Sequence, residues 1–144
     1  MANFVLCNEM LAELVDEQTG HSSGHAYDGA KVMVFTNNIT PGHSTVFADL
    51  TEATFAGYAQ ITLAAANWPG ATVSGGIAST TYNVTLTWTR STTGTAQTCY
   101  GVAILNAAGT KVIAAGLFDS GPYVVANAGD NFSETITLRR SSEF

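Results

Sequence analysis

The sequence predicts a mainly β protein, an antiparallel β-sandwich or jelly-roll-like domain with a short N-terminal helix and one short helical turn. Short apolar or alternating segments follow one another with Gly, Pro, Asn and Asp signals between them. No regular strand–helix alternation accompanies them, which argues against a parallel sheet. Only one segment carries helical periodicity.

That segment runs from Asn8 to Thr19. Met10, Leu11, Leu14 and Val15 recur at helical spacing, Glu9, Glu13, Asp16 and Glu17 occupy much of the other face, and Gly20 stands at the C-terminal cap. Acidic residues in the last turn oppose the helix dipole, so this helix requires docking to persist. His21 to Asp28 has no periodicity and reads as a loop. Residues 1–30 form an N-terminal helix and loop arm, and residues 31–144 the β-sandwich domain.

Strands are expected at Lys31–Thr36, Gly57–Leu63, Thr81–Thr89, Cys99–Asn106, Lys111–Phe118, Tyr123–Val125 and Phe132–Leu138, with a shorter one near Thr45–Phe47. Asn106 to Thr110 is a hairpin loop, and Asp119-Ser120-Gly121-Pro122 turns the chain again. Tyr82, Val84, Leu86 and Trp88 share one face of their strand and Thr81, Asn83, Thr85, Thr87 and Thr89 the other, so this strand is half-buried. Val32–Phe35, Val102–Leu105 and Val112–Phe118 are apolar on both faces. A two-layer sandwich covers one face of each sheet. The N-terminal helix and a second subunit are the expected covers for the other.

At 144 residues the chain is one domain on length, able to bury roughly 68–70% of its extended surface. Charged residues are 11% of the chain, against about 25% in ordinary globular proteins. A surface so poor in charge fits a protein covered by neighbours. The net charge is −6, and the cations are Lys31, Lys111, Arg90, Arg139 and Arg140. That is too few and too scattered to displace the counterions of a nucleic acid. Arg139-Arg140 reads as a solvated pair at a strand end. No apolar window approaches the length of a membrane-spanning helix, and no secretory signal pattern is visible near Met1. Synthesis in a cytoplasm is expected, with Cys7 and Cys99 as two buried thiols.

One stretch is more specific. It runs from Phe35-Thr36-Asn37-Asn38-Ile39-Thr40-Pro41 through Thr45-Val46-Phe47-Ala48-Asp49-Leu50-Thr51-Glu52-Ala53 to Phe55-Ala56-Gly57-Tyr58-Ala59. Asn37-Asn38 reads as a chain reversal using the left-handed tolerance of asparagine, Asp49-Leu50-Thr51-Glu52 approximates a capping box, and Gly57-Tyr58 reads as a helix stop followed by a strand. The stretch resembles a signature of small structural proteins encoded by tailed bacteriophages. It departs from the usual pattern after Pro41, where Gly42-His43-Ser44 is a short connection. The resemblance implies a capsid decoration or cement protein on the outer surface of the virion head. Such a protein self-associates, with a homotrimer expected, and bridges subunits of the major capsid protein without direct nucleic-acid or membrane contact. Phe4, Leu6, Leu11, Leu14, His21, His25 and Tyr27 are the expected contact residues, because they lie outside the β-core. A tail or head-fibre position is the alternative within the particle.

Nothing in the sequence marks an enzyme, and no cofactor is expected. There is no Gly-x-Ser-x-Gly elbow. The glycine-rich run from Gly70 to Gly76 lacks the lysine and helix of a phosphate cradle and reads as a flexible loop. His21, His25 and His43 lack the frame of a metal site and read as solvated loop residues, so no metal is expected. The other binding alternative is a carbohydrate-binding module, in which Trp68 before Pro69-Gly70 offers an aromatic surface to a sugar. The threonine face of Thr81–Thr89 resembles the ladders of ice-binding proteins, which require several adjacent strands of the same kind.

Overall fold

The computed structural model describes residues 4–7 and 28–141. The chain is mainly antiparallel β. In chain order the strands are β1 (Val5–Leu6), β2 (Lys31–Phe35), β3 (Ile61–Thr62), β4 (Thr72–Ser74), β5 (Ile77–Thr81) and β6 (Leu86–Thr89), followed by β7 (Gln97–Cys99), β8 (Gly101–Leu105), β9 (Val112–Leu117), β10 (Tyr123–Val125), β11 (Asn131–Glu134) and β12 (Thr137–Ser141). Two 3-10 turns, Phe47–Asp49 and Ala65–Asn67, are the helical elements among the described residues. The expected helix over Asn8–Thr19 lies outside them.

The central sheet has the order β1-β9-β8-β2-β3, and smaller sheets pair β10 with β7, β11 with β6, and β12-β5-β4. β8 and β9 form its middle, joined by the expected hairpin. There Asn106 accepts from Thr110 and Lys111 amides at 2.8 and 3.0 Å through its side-chain oxygen. Gly101 begins β8 where a Cβ would overlap the Gly116 carbonyl and the Phe35 ring. Only glycine lets these three strands come that close.

Alternation along β2 and β8 sends side chains to two cores. Val32, Val34, Val102 and Ile104 face one core, where Leu86, Trp88, Phe132 and Ile136 meet them. Phe132 organises its aromatic part, stacking on Trp88 at 5.6 Å and on Tyr123 at 5.3 Å, with Phe118 edge-on at 5.4 Å. Met33, Phe35, Ala103, Leu105 and Cys7 face the second core, against which Ile39, Leu50, Tyr100 and Leu117 pack. Every one of those first five residues is fully buried within this single chain. The doubly apolar strands are therefore covered by the chain itself, and Ile39 and Leu50 bring the connection after β2 over that face.

Three expected strands are each split in two, and in each case the break serves a second hydrogen-bonding job. Tyr82 leaves the strand line to turn inward, where its hydroxyl accepts from the Ala64 amide at 2.9 Å. Asn83–Thr85 then bulge outward, which exposes Val84 instead of burying it. Between β7 and β8, the amide of Tyr100 donates to Phe35 and its carbonyl accepts from Phe118, both at 3.0 Å, so the chain changes sheets. Between β11 and β12, the carbonyl of buried Ile136 accepts from Tyr82 at 2.9 Å. The expected Gly57–Leu63 strand shortens to β3, and the segment near Thr45–Phe47 is a 3-10 turn rather than a strand.

Candidate interaction surface

The resemblance-bearing stretch is hydrogen-bonded along its length, with Phe35, Ile39 and Leu50 on the second face of the central sheet and Ala53, Phe55 and Tyr58 on the first. No residue other than glycine has positive φ among the described residues, so Asn37 does not reverse the chain through a left-handed conformation. It acts instead as a clamp, its amide nitrogen donating to the Asp49 carbonyl at 2.8 Å and its oxygen accepting from the Thr51 amide at 2.9 Å. The Thr36 amide donates to the Thr51 carbonyl at 2.8 Å, and the Ala53 amide to Val34 at 2.9 Å. Asp49 closes the turn from within, its carboxylate accepting from the Val46 amide at 2.9 Å. The helical turn thus ends at Asp49 rather than starting there. Thr45 fixes the preceding connection by accepting from the Gly42 amide at 2.8 Å, beside buried Pro41. Ile39 and Leu50 point into the second core while Val46 and Phe47 are left exposed.

The end of the stretch is tied to the first core. Tyr58 donates to Glu52 at 3.0 Å and accepts from the Val34 amide at 3.1 Å, and Gln60 donates to the same Glu52 oxygen at 2.9 Å. Burial, with the neighbouring Glu52 carboxylate, drives the Tyr58 pKa upward, keeping the phenol as the donor this arrangement uses. Tyr58 closes a turn by donating its amide to Phe55, where the sequence predicts a helix stop.

A second exposed feature projects from the three-stranded sheet. β4 and β5 are joined by the two-residue turn Gly75-Gly76, both at positive φ (58° and 75°), as a type I′ hairpin demands. The run expected to be a flexible loop is a strand and a tight turn. Val73 is 74% and Ile77 44% exposed. The signal was legible: Gly-Gly between Thr-Val-Ser and Ile-Ala-Ser is a hairpin pattern.

Charge is distributed unevenly along the chain. Between Glu52 and Lys111 the one charged residue is Arg90, and Arg90 is only 6% exposed. It donates to the carbonyls of Thr92, Thr95 and Val125 at 2.6, 2.9 and 3.0 Å. The surface contributed by residues 53–110 is thus almost without charge. Thr81, Thr87 and Thr89 lie exposed on it as expected, with Thr87 bonded to Ser133 at 2.7 Å. Arg139 and Arg140 are exposed on β12.

The sequence-predicted contact residues fare differently. Phe4 packs against the first core, and Leu6 belongs to β1, the strand that pairs with β9 through Leu6 and Ala114. Leu11, Leu14, His21, His25 and Tyr27 lie outside the described residues. Trp68 is half-buried, edge-on to Tyr82 at 4.9 Å, and packs against the first core. His43 is exposed in a turn, and no cluster of potential metal ligands exists among the described residues. Cys7 and Cys99 are buried thiols that are not bridged to each other, and burial pushes the Cys99 thiol up to about 11. No described helix is long and apolar enough to cross a membrane. No protein-family model, curated protein or solved structure matches the chain.

Proposed function

We propose that the chain is a structural protein of a tailed-phage particle, a decoration or cement protein that binds the outer face of the head and bridges major capsid subunits. The observation that carries this proposal is the stretch from Phe35 to Ala59. Its resemblance to phage structural proteins extends over residues that fold as one clamped unit and hold Val46 and Phe47 outward. A turn ordered before binding loses little entropy when it docks. The uncharged surface of residues 53–110 supports the same reading, because charged residues are depleted where protein partners cover a surface. The mechanism is adhesive: contact area formed across the joints between capsid subunits opposes the outward pressure of packaged genome, and no catalytic step is involved.

Binding to expanded, undecorated heads of the encoding phage tests the proposal. The purified chain is expected to co-sediment with the heads in saturable amounts, and Phe47→Asp is expected to weaken that binding about tenfold or more, as loss of an aromatic contact does. Absence of binding to heads prepared in this way would sink the decoration role.

A further inference from the structure

The sheet β12-β5-β4 ends at β4 in an edge that no described strand pairs. Residues 69–77 are all exposed, so the edge faces solvent along its whole length. Hairpin geometry decides which backbone groups lie on it. A two-residue turn makes Ser74 and Ile77 a hydrogen-bonded pair, and pairs alternate along an antiparallel ladder. Thr72 with Ser79 is the next bonded pair, and Val73 with Ala78 between them is a non-bonded one. The N–H and C=O of Val73, and of Ala71 before it, therefore point away from β5.

Natural edges are blunted by charge, proline or a bulge. The far edge of the same sheet has Arg139 and Arg140 on β12, whereas Thr72-Val73-Ser74 has none of these devices. A row of outward amides and carbonyls is satisfied best by another strand. A second copy of the chain fits for two reasons. An antiparallel twofold alignment centred on Thr72 sets Val73 of each copy opposite Ala71 of the other, closing four backbone hydrogen bonds and pairing threonine with threonine. Two chains of net charge −6 also repel each other over most approaches, and residues 53–89 contain no charged side chain to oppose this one.

We propose that β4 is a homodimerisation edge that joins two three-stranded sheets into one of six strands. The contact is smaller than the roughly 1,200 Å² of stable interfaces, so the dimer is weak and forms when copies are concentrated. The pairing is twofold and yields an even-numbered oligomer, where the resemblance implies a trimer. It holds whether or not the chain binds a phage head.

Sedimentation velocity of the full chain from about 10 μM to about 1 mM, the range in which weak contacts populate, tests it. The wild type is expected to shift from monomer to dimer. Val73→Pro and Val73→Lys are expected to raise the dimer dissociation constant at least about tenfold, with near-ultraviolet circular dichroism unchanged. Val124→Lys, which alters an exposed valine on β10, leaves dimerisation as in the wild type. A wild type monomeric throughout overturns the proposal, and so does an oligomer that survives both Val73 variants. Should the proline variant fail to fold, the lysine variant alone decides.

Discussion

Arg90 shows how one buried cation can organise a loop and still leave the surface of residues 53–110 almost without charge. Its guanidinium gathers the carbonyls of Thr92, Thr95 and Val125, and Gly94 must be small because a Cβ there would lie 2.5 Å from the guanidinium. Asp130 stands in the facing loop and accepts from the amides of Asn127 and Ala126 at 2.8 Å each. Those two bonds, with a smaller contribution from Arg90, hold its pKa below the usual carboxylate value. A depressed folded-state pKa adds stability above the unfolded value of about 3.9, and that stability is lost as pH falls through the folded value. Asp130→Asn is accordingly expected to lower the urea midpoint near neutral pH, with the gap to wild type narrowing on acidification. A gap of constant size from neutral to acid pH would contradict this role for the carboxylate. Nothing in the sequence pattern marks Arg90 as buried, since its partners are backbone carbonyls, which any residue supplies.

At the scale of elements, the clearest unit is the connection from β2 to Tyr58. It covers an apolar sheet face with Ile39 and Leu50 while offering Val46 and Phe47 to solvent, and Asn37 is the side chain that makes both possible. Asn37→Ala removes two hydrogen bonds and is expected to cost roughly 1–2 kcal/mol in urea unfolding with an unchanged slope. A loss below a few tenths of a kcal/mol would mean the clamp is not what orders the turn. Elements whose evidence is local were legible in the sequence. β8, β9 and β10 follow their apolar runs closely, and the Asn106–Thr110 hairpin follows its turn residues. The breaks at Tyr82, Tyr100 and Ile136 were not legible, because each is made by a hydrogen bond to a residue distant in sequence. β1 was hidden for the same reason: two residues gain strand character only by pairing with β9.

For the whole molecule, the central sheet being apolar on both faces is satisfied within one chain, so it does not by itself call for a second subunit. The proposal of self-association rests instead on the bare edge of β4, and the proposal of head binding on the clamped turn and the uncharged surface of residues 53–110. The contact set inferred from sequence was drawn from residues outside the expected β-core, yet Phe4 belongs to the core's packing. Periodicity cannot show that an N-terminal segment returns to pair with a distant strand. The exposed candidates Val46, Phe47 and Val73 were present in the sequence, but only the folded arrangement separates them from valines and phenylalanines that are buried. The most direct measurement of the central proposal is immunogold electron microscopy of intact particles of the encoding phage, using antibody to the purified chain. Label distributed over the head surface is the predicted result, and label confined to the tail, or absent from the particle, would contradict it.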